Sequence, residues 1–196
     1  TTFDVETVSA GVVNSNCTSC TTTAGLTDAD IDIEAGKLYA KVRVTNTGKF
    51  SGKEVVQVYI AKPQGKLGKP AKELVAFEKT RELQPGESQL MILTWKINDM
   101  ASYDDLGKVK KSAYVLEAGS YDIYVGTSVR DVTKADYSYI LNHDVITEQL
   151  SAKLIPTSLP KRMLSDGSYE ALPQSEPVDT DYSAIGNIDP ALTEGV

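Results

Sequence analysis

The chain has one histidine, one tryptophan and two cysteines in 196 residues, and these scarcities remove most catalytic and metal-binding chemistry at the outset. With a single His, His143, a Ser/His/Asp relay has no adequate base, and the segment Leu141-Asn142-His143-Asp144 reads as surface. Structural zinc takes four ligands, whereas Cys17, Cys20 and His143 supply three. No helical period follows Cys20, so the Cys-x-x-Cys pair does not fit a thioredoxin-like redox site either. Two thiols, or one local disulfide in a surface loop, are the readings left open. Neither a metal nor a cofactor is expected. No glycine-rich turn opens a helix to cradle phosphate. Long apolar runs are also missing, and none approaches the ~20 residues of a membrane span. Cations are too few for phosphate binding: the formal net charge of −7 argues against a nucleic acid or an acidic membrane as partner. The opening Thr1-Thr2-Phe3-Asp4-Val5 lacks both Met and a signal peptide and reads as a cut from something longer, which leaves the compartment open.

What is present suits sheets. Hydrophobic residues make up 41% of the chain and charged residues 24%, enough for a real core, and ten tyrosines favour strands over helices. One domain with extensions is expected. Leu38, Ala40, Val42 and Val44 alternate with Tyr39, Lys41, Arg43 and Thr45. After Asn46-Thr47-Gly48, Val56, Val58 and Ile60 alternate with Val55, Gln57 and Tyr59. Two such runs around a short Asn/Gly/Ser turn predict an antiparallel strand pair that starts a sandwich. Further strands are predicted near Glu73–Lys79, with Leu74, Ala76 and Phe77 as its apolar content, and through Met91, Leu93 and Trp95. Others follow through Ala113, Val115 and Leu116, through Tyr121, Ile123 and Val125, and over Ala135–Leu141. A short irregular strand near Phe3, Val5, Val8 and Val12-Val13, or one with Ile31 and Ile33 inward, brings the count to about seven over ~100 residues, the arithmetic of an immunoglobulin-like sandwich. Val42, Val58, Leu93 and Val125 are expected in its core.

The remaining charged stretches have plain readings. From Asp28, an EF-hand would need Gly at the sixth place and Glu at the twelfth, where Ile33 and Tyr39 stand, so calcium is excluded there. The acids between Asn98 and Gly107 read as caps of a turn, with room for one helical turn. Asn16-Cys17-Thr18 fits the glycosylation pattern, which has meaning only in a eukaryotic secretory host. Lys62-Pro63-Gln64-Gly65-Lys66-Leu67-Gly68-Lys69-Pro70-Ala71-Lys72 is the most distinctive segment. Its glycines, prolines and lysines predict a long loop kept extended by charge repulsion, and Lys62, Lys66, Leu67, Lys69 and Lys72 are the candidate contact residues if it reaches a neighbouring domain. Sugar-binding modules display exposed aromatics along one face, and Tyr39, Tyr59 and Tyr124 are the outward candidates.

Several motifs in order carry a resemblance: Asn46-Thr47-Gly48, Gly52–Tyr59, Pro70–Lys79, Leu83-Gln84-Pro85-Gly86-Glu87, Ser102-Tyr103-Asp104 and Gly119–Asp131. Together they resemble the fibronectin type III-like domain of family 3 glycoside hydrolases, the β-glucosidases and their relatives, over Lys37 to Asp131. Thr1-Thr2-Phe3 also resembles the end of the segment that leads into this module. The Trp that often precedes the strand near Ala113-Tyr114 in the family is absent, and the lysine loop is longer than the usual link. The resemblance implies an all-β, fibronectin type III-like β-sandwich at 37–144, a lead-in at 1–36 with a strand and the Cys loop, and an extended, largely irregular tail at 145–196 that packs on neighbouring domains. It implies no catalytic residue here, because the nucleophile Asp and acid/base Glu of a retaining glycosidase, about 5–5.5 Å apart, belong to domains outside this chain. The implied partners are the parent's catalytic domains and its oligosaccharide or glycoside substrate. A long tail resembles the linker in relatives whose module lies between the two core domains. The alternative is an independent carbohydrate-binding or adhesion module.

Overall fold

The computed structural model describes residues 1–13, 36–151, 160–164 and 166–172. Cys17, Cys20, the Asn16 motif and the Ile31 strand lie outside the described residues. Among the described residues every element is a strand except one short 3-10 turn. In the unit Thr1–Leu150 they are β1 (Phe3–Val13), β2 (Lys37–Asn46), β3 (Val55–Ala61), β4 (Glu73–Lys79), β5 (Ser88–Lys96), the turn Ile97–Met100, β6 (Ser102–Asp104), β7 (Ala113–Leu116), β8 (Gly119–Ser128), β9 (Asp131–Leu141) and β10 (Val145–Gln149). The second unit, Ser151–Val196, holds a hairpin of β11 (Lys161–Met163) and β12 (Tyr169–Ala171), so the expected irregular tail contains local order.

One sheet has the order β1-β2-β5 and a second has β4-β3-β8-β9, all antiparallel. The alternation read in the sequence explains their packing. Val42, Val44, Leu93 and Trp95 of the first sheet share one buried cluster with Val58, Ile60, Ile123, Val125 and Tyr139 of the second. A third sheet, β10-β7-β6, buries Leu116 in the same cluster, while Ala113 and Val115 form a smaller one. The chain is thus an all-β sandwich. Strand pairing runs past both limits of the expected 37–144 module, since β1 pairs along β2 and β10 pairs with β7.

The central strand pair is not a hairpin. β2 pairs with β1 and β5, whereas β3 pairs with β4 and β8, so the Asn46–Glu54 segment carries the chain from one sheet to the other. Periodicity marks a strand's buried face but not its neighbour, and two facing apolar stripes are satisfied equally well across a sandwich. The crossing is fixed by Asn46, which is fully buried. Its Nδ2 donates to the carbonyls of Phe50 (2.9 Å) and Leu83 (2.8 Å). Its Oδ1 accepts from the Gly48 N–H (2.9 Å) and from the Thr1 hydroxyl (3.0 Å). Its own N–H donates to Glu87 O (2.9 Å) and its carbonyl accepts from Gly86 N–H (2.8 Å).

Three other expectations change. The N-terminal strand is long rather than short, with one register shift between Thr7 and Ser9. In β4, Leu74 and Phe77 are exposed, the latter at 69%, and it is Val75 and Ala76 that pack on the core. The cause is a bulge: Val58 faces Ala76 and Tyr59 faces Leu74, so Val75 is the extra residue and the strand reverses its faces there. Tyr39 and Tyr59 are buried instead of outward. Gly11 is the register partner of Tyr39, and a Cβ there would lie 3.1 Å from the Tyr39 ring, so the missing side chain makes the room that the ring fills.

The core assignment is testable by urea denaturation. Leu93→Ala should lower stability by about 2–5 kcal/mol, because Leu93 is buried between the sheets. Phe77→Ala should stay within about 0.5 kcal/mol, since its ring faces solvent. Equal effects of the two would contradict the bulged register.

Candidate functional site

The lysine-rich loop between β3 and β4 is folded back on one buried carboxylate. Glu117 follows β7 and is 3% exposed. Its Oε1 accepts the Lys66 N–H at 2.5 Å and its Oε2 accepts the Leu67 N–H at 3.1 Å. The Lys69 ammonium donates to the same Oε2 and also to Pro63 O at 2.6 Å. Both members of the Lys69–Glu117 ion pair have almost no side-chain exposure, 2% and 4%. Leu67 is driven under the sheet, against Ala113 and Val115. The expected extended, self-repelling loop is therefore wrong. A carboxylate from far along the chain neutralises one lysine and orders two backbone amides, and this outweighs repulsion among four cations of which two are buried.

The other candidate residues have separate partners. Lys62, buried, pairs with Glu73 at 2.7 Å and closes the base of the loop, with Ser102 Oγ 3.4 Å away. Lys72 places its ammonium 4.8 Å from the Tyr124 ring centroid, a cation–π geometry that also covers the last of the three outward tyrosine candidates. Lys66 presents its side chain to solvent, at 62% exposure, with Asp144 at 3.8 Å. Two glycines make the fold-back sterically possible. A Cβ at Gly65 would lie 2.5 Å from Glu117 Oε1, and one at Gly119, where φ is +137°, would lie 2.6 Å from Pro63.

Glu117 was invisible to sequence reasoning. A lone acid before Ala118-Gly119 has no local partner, and no spacing rule links it to a loop about fifty positions earlier; the one available signal was its place at the end of an apolar strand. Asp104 plays a parallel part and fits the reading of this stretch as a self-capped turn. It accepts the Val109 (2.7 Å), Lys110 (2.8 Å) and Lys108 (3.0 Å) amides and so holds Val109 beside Leu67. His143 is exposed, as expected. Among the described residues no group of three or more His, Cys, Asp or Glu is placed to hold a metal ion.

Two measurements follow from these anchors. Glu117→Gln leaves Lys69 buried without its counter-charge and should cost about 3–5 kcal/mol, with faster hydrogen exchange at the Lys66 and Leu67 amides. At Asp104 burial favours the neutral acid, yet the Val109, Lys110 and Lys108 amides outweigh it and hold the carboxyl below its ordinary value of 3.8. A lowered native value gives stability that is complete above the unfolded value and is lost as pH falls through the native one. The advantage of the wild type over Asp104→Asn should therefore be full above pH 3.8 and shrink on further acidification; an advantage unchanged below pH 3.8 would contradict the assignment.

The arrangement holds a loop in place, and comparison with known proteins places the chain in a wider context. The family described as the fibronectin type III-like domain matches residues 54–129. Beta-glucosidase A of Butyrivibrio fibrisolvens is 60% identical over 161 residues, 82% of this chain and 19% of that protein. A beta-glucosidase of Ruminococcus albus is 43% identical over 155 residues, 77% of this chain and 16% of that protein. Among solved structures, the beta-glucosidase of Paenibacillus barengoltzii superposes with a TM-score of 0.70 at 37% identity, over 90% of this chain and 19% of that one. The chain thus spans less than a fifth of the length of these relatives. The chain thus contains a fibronectin type III-like domain at residues 54–129 and is similar, in sequence and in fold over the same limited share, to one segment of the β-glucosidases of glycoside hydrolase family 3.

Proposed function

We propose that this chain is a non-catalytic module of a family 3 β-glucosidase, which stabilises the arrangement of the parent's catalytic domains and lends the 62–72 loop to the substrate entrance. The observation that carries this reading is the buried Lys69–Glu117 pair, which fixes the loop at its middle while Lys66 stays solvated beside it. Holding a loop with desolvated charges is an expensive way to decorate a surface, because both ions lose their hydration. It is a sound way to present a cationic side chain at one position to a neighbouring domain or a glycoside. In this reading the residues after Leu150 serve as the connection to the parent's next domain, with the module between the two core domains.

Two assays test it. The 196-residue chain alone should hydrolyse aryl β-glucosides at background rate, since a retaining mechanism needs its carboxylate pair at about 5–5.5 Å around a sugar-sized pocket; turnover abolished by one Asp or Glu substitution in this chain would sink the reading. In the parent enzyme, Lys66→Ala should raise KM about two- to tenfold with kcat little changed, the mark of a binding contact made equally in ground and transition states. Unchanged KM and kcat would remove the loop from the substrate entrance and leave it a purely interdomain element.

A further inference from the structure

The exposed aromatic pair of this module lies where sequence periodicity gave no hint of it. In β7 side chains alternate: Ala113 and Val115 face inward towards Leu67, while Tyr114 faces out. Tyr103 of β6 is its register partner, and the two rings meet at 5.4 Å between centroids with a 55° tilt. Both remain well exposed, at 42% and 38%. Beside them an open cleft of about 310 Å³ is lined by Asn98, Asp99, Ala101, Tyr114, Thr147 and Glu148. Asn98 stands in that wall with its side-chain carbonyl oxygen buried and without a hydrogen-bond partner.

The geometry points to a saccharide-binding site here, taking one or two β-linked glucopyranosyl units on the Tyr103/Tyr114 platform. A pyranose presents an apolar face of C–H bonds and a rim of hydroxyls. The tyrosine rings offer apolar area with polar tips. Asp99 and Glu148 offer acceptors for the hydroxyl rim beside Tyr114, so one ring of the pair and a polar rim line the same small cleft. Its volume is at the lower end of small-ligand pockets, which run about 300–1,000 Å³, a size for a monosaccharide or disaccharide end and not for a folded domain. The same sheet is braced from behind by Leu67 and Val109, so the platform is built on an element that the Glu117 and Asp104 anchors keep rigid. Tyr39 and Tyr59, which the sequence favoured for this role, are buried, and Tyr124 lies under Lys72. The choice of a β-glucoside as ligand rests on the proposed parent activity; the existence of a sugar platform rests on the cleft alone.

Amide shifts of the isotopically labelled 196-residue chain should be followed during titration with methyl β-D-glucopyranoside, with cellobiose, and with glycerol as a polyol control. We expect saturable shifts at Tyr103, Tyr114 and Glu148 with both sugars and none with glycerol, at a Kd on the order of 1–10 mM, as a ligand of this size allows. Tyr114→Ala should weaken binding about tenfold, in keeping with loss of one stacking ring. The double variant Asp99→Asn/Glu148→Gln, which changes only exposed carboxylates, should weaken it without altering the thermal midpoint. Absence of saturable shifts up to about 50 mM, shifts shared with glycerol, or binding unchanged in these variants would each overturn the site. Such a failure beside intact glucosidase activity of the parent would reject the platform and leave the proposed function standing.

Discussion

A single buried amide governs how the two sheets are joined. Asn46 ends β2 at the point where the chain leaves one sheet for the other, and every polar atom it owns is paired inside the protein. An unpaired buried amide group costs about 1–3 kcal/mol, so each bond made there removes an alternative path for the chain. The same residue touches Thr1, Leu83 and the Gly86-Glu87 turn, all remote in sequence, and joins them to the β2–β3 crossing beside it. The facing stripes of Val42, Val44, Val58 and Ile60 can meet only if that crossing is made at this height, and the hydrophobic burial that stabilises the sandwich depends on it.

The anchors of the other end work by the same physics with charge added. Glu117 and Asp104 each gather backbone amides that no strand satisfies, and together they turn two irregular loops into a braced support behind β7. Buried polar groups of this kind favour one conformation because every competing arrangement leaves some of them unpaired. The Glu117 and Asp104 anchors and the exposed Tyr103/Tyr114 pair thus gather around the small β6–β7–β10 sheet, while the two large sheets serve as a scaffold.

Legibility in the sequence followed the range of the interaction. The buried faces of β2, β3, β5 and β8 were readable because alternation is a local signal: Val42, Val58, Leu93 and Val125 are all in the core. The resemblance extended this to fold class and family. Pairing partners were not readable, since β2 and β3 have the pattern of a hairpin and yet lie in different sheets. A bulge displaced Leu74 and Phe77 by a one-residue event that no periodicity records. The loop lysines read as mutually repelling charges because the counter-charge sits fifty positions away. Tyr39 looked outward because the space that receives its ring is made by a glycine on another strand.

The fit between Gly65 and Glu117 reaches beyond this one chain. A methyl group at position 65 would meet the carboxylate at 2.5 Å, and Glu117 has no shorter route to the Lys66 and Leu67 amides. Neither position can drift while the other is fixed, so an insertion, deletion or side-chain gain in the loop demands a compensating change after β7. Descent should therefore exchange the loop and its acid as a set: lineages with a shorter link between β3 and β4 lose the selective reason for an acid at 117, and those that retain the acid retain the glycine. Loop length, an apparently free variable on the surface of a sandwich, is here tied to one buried residue.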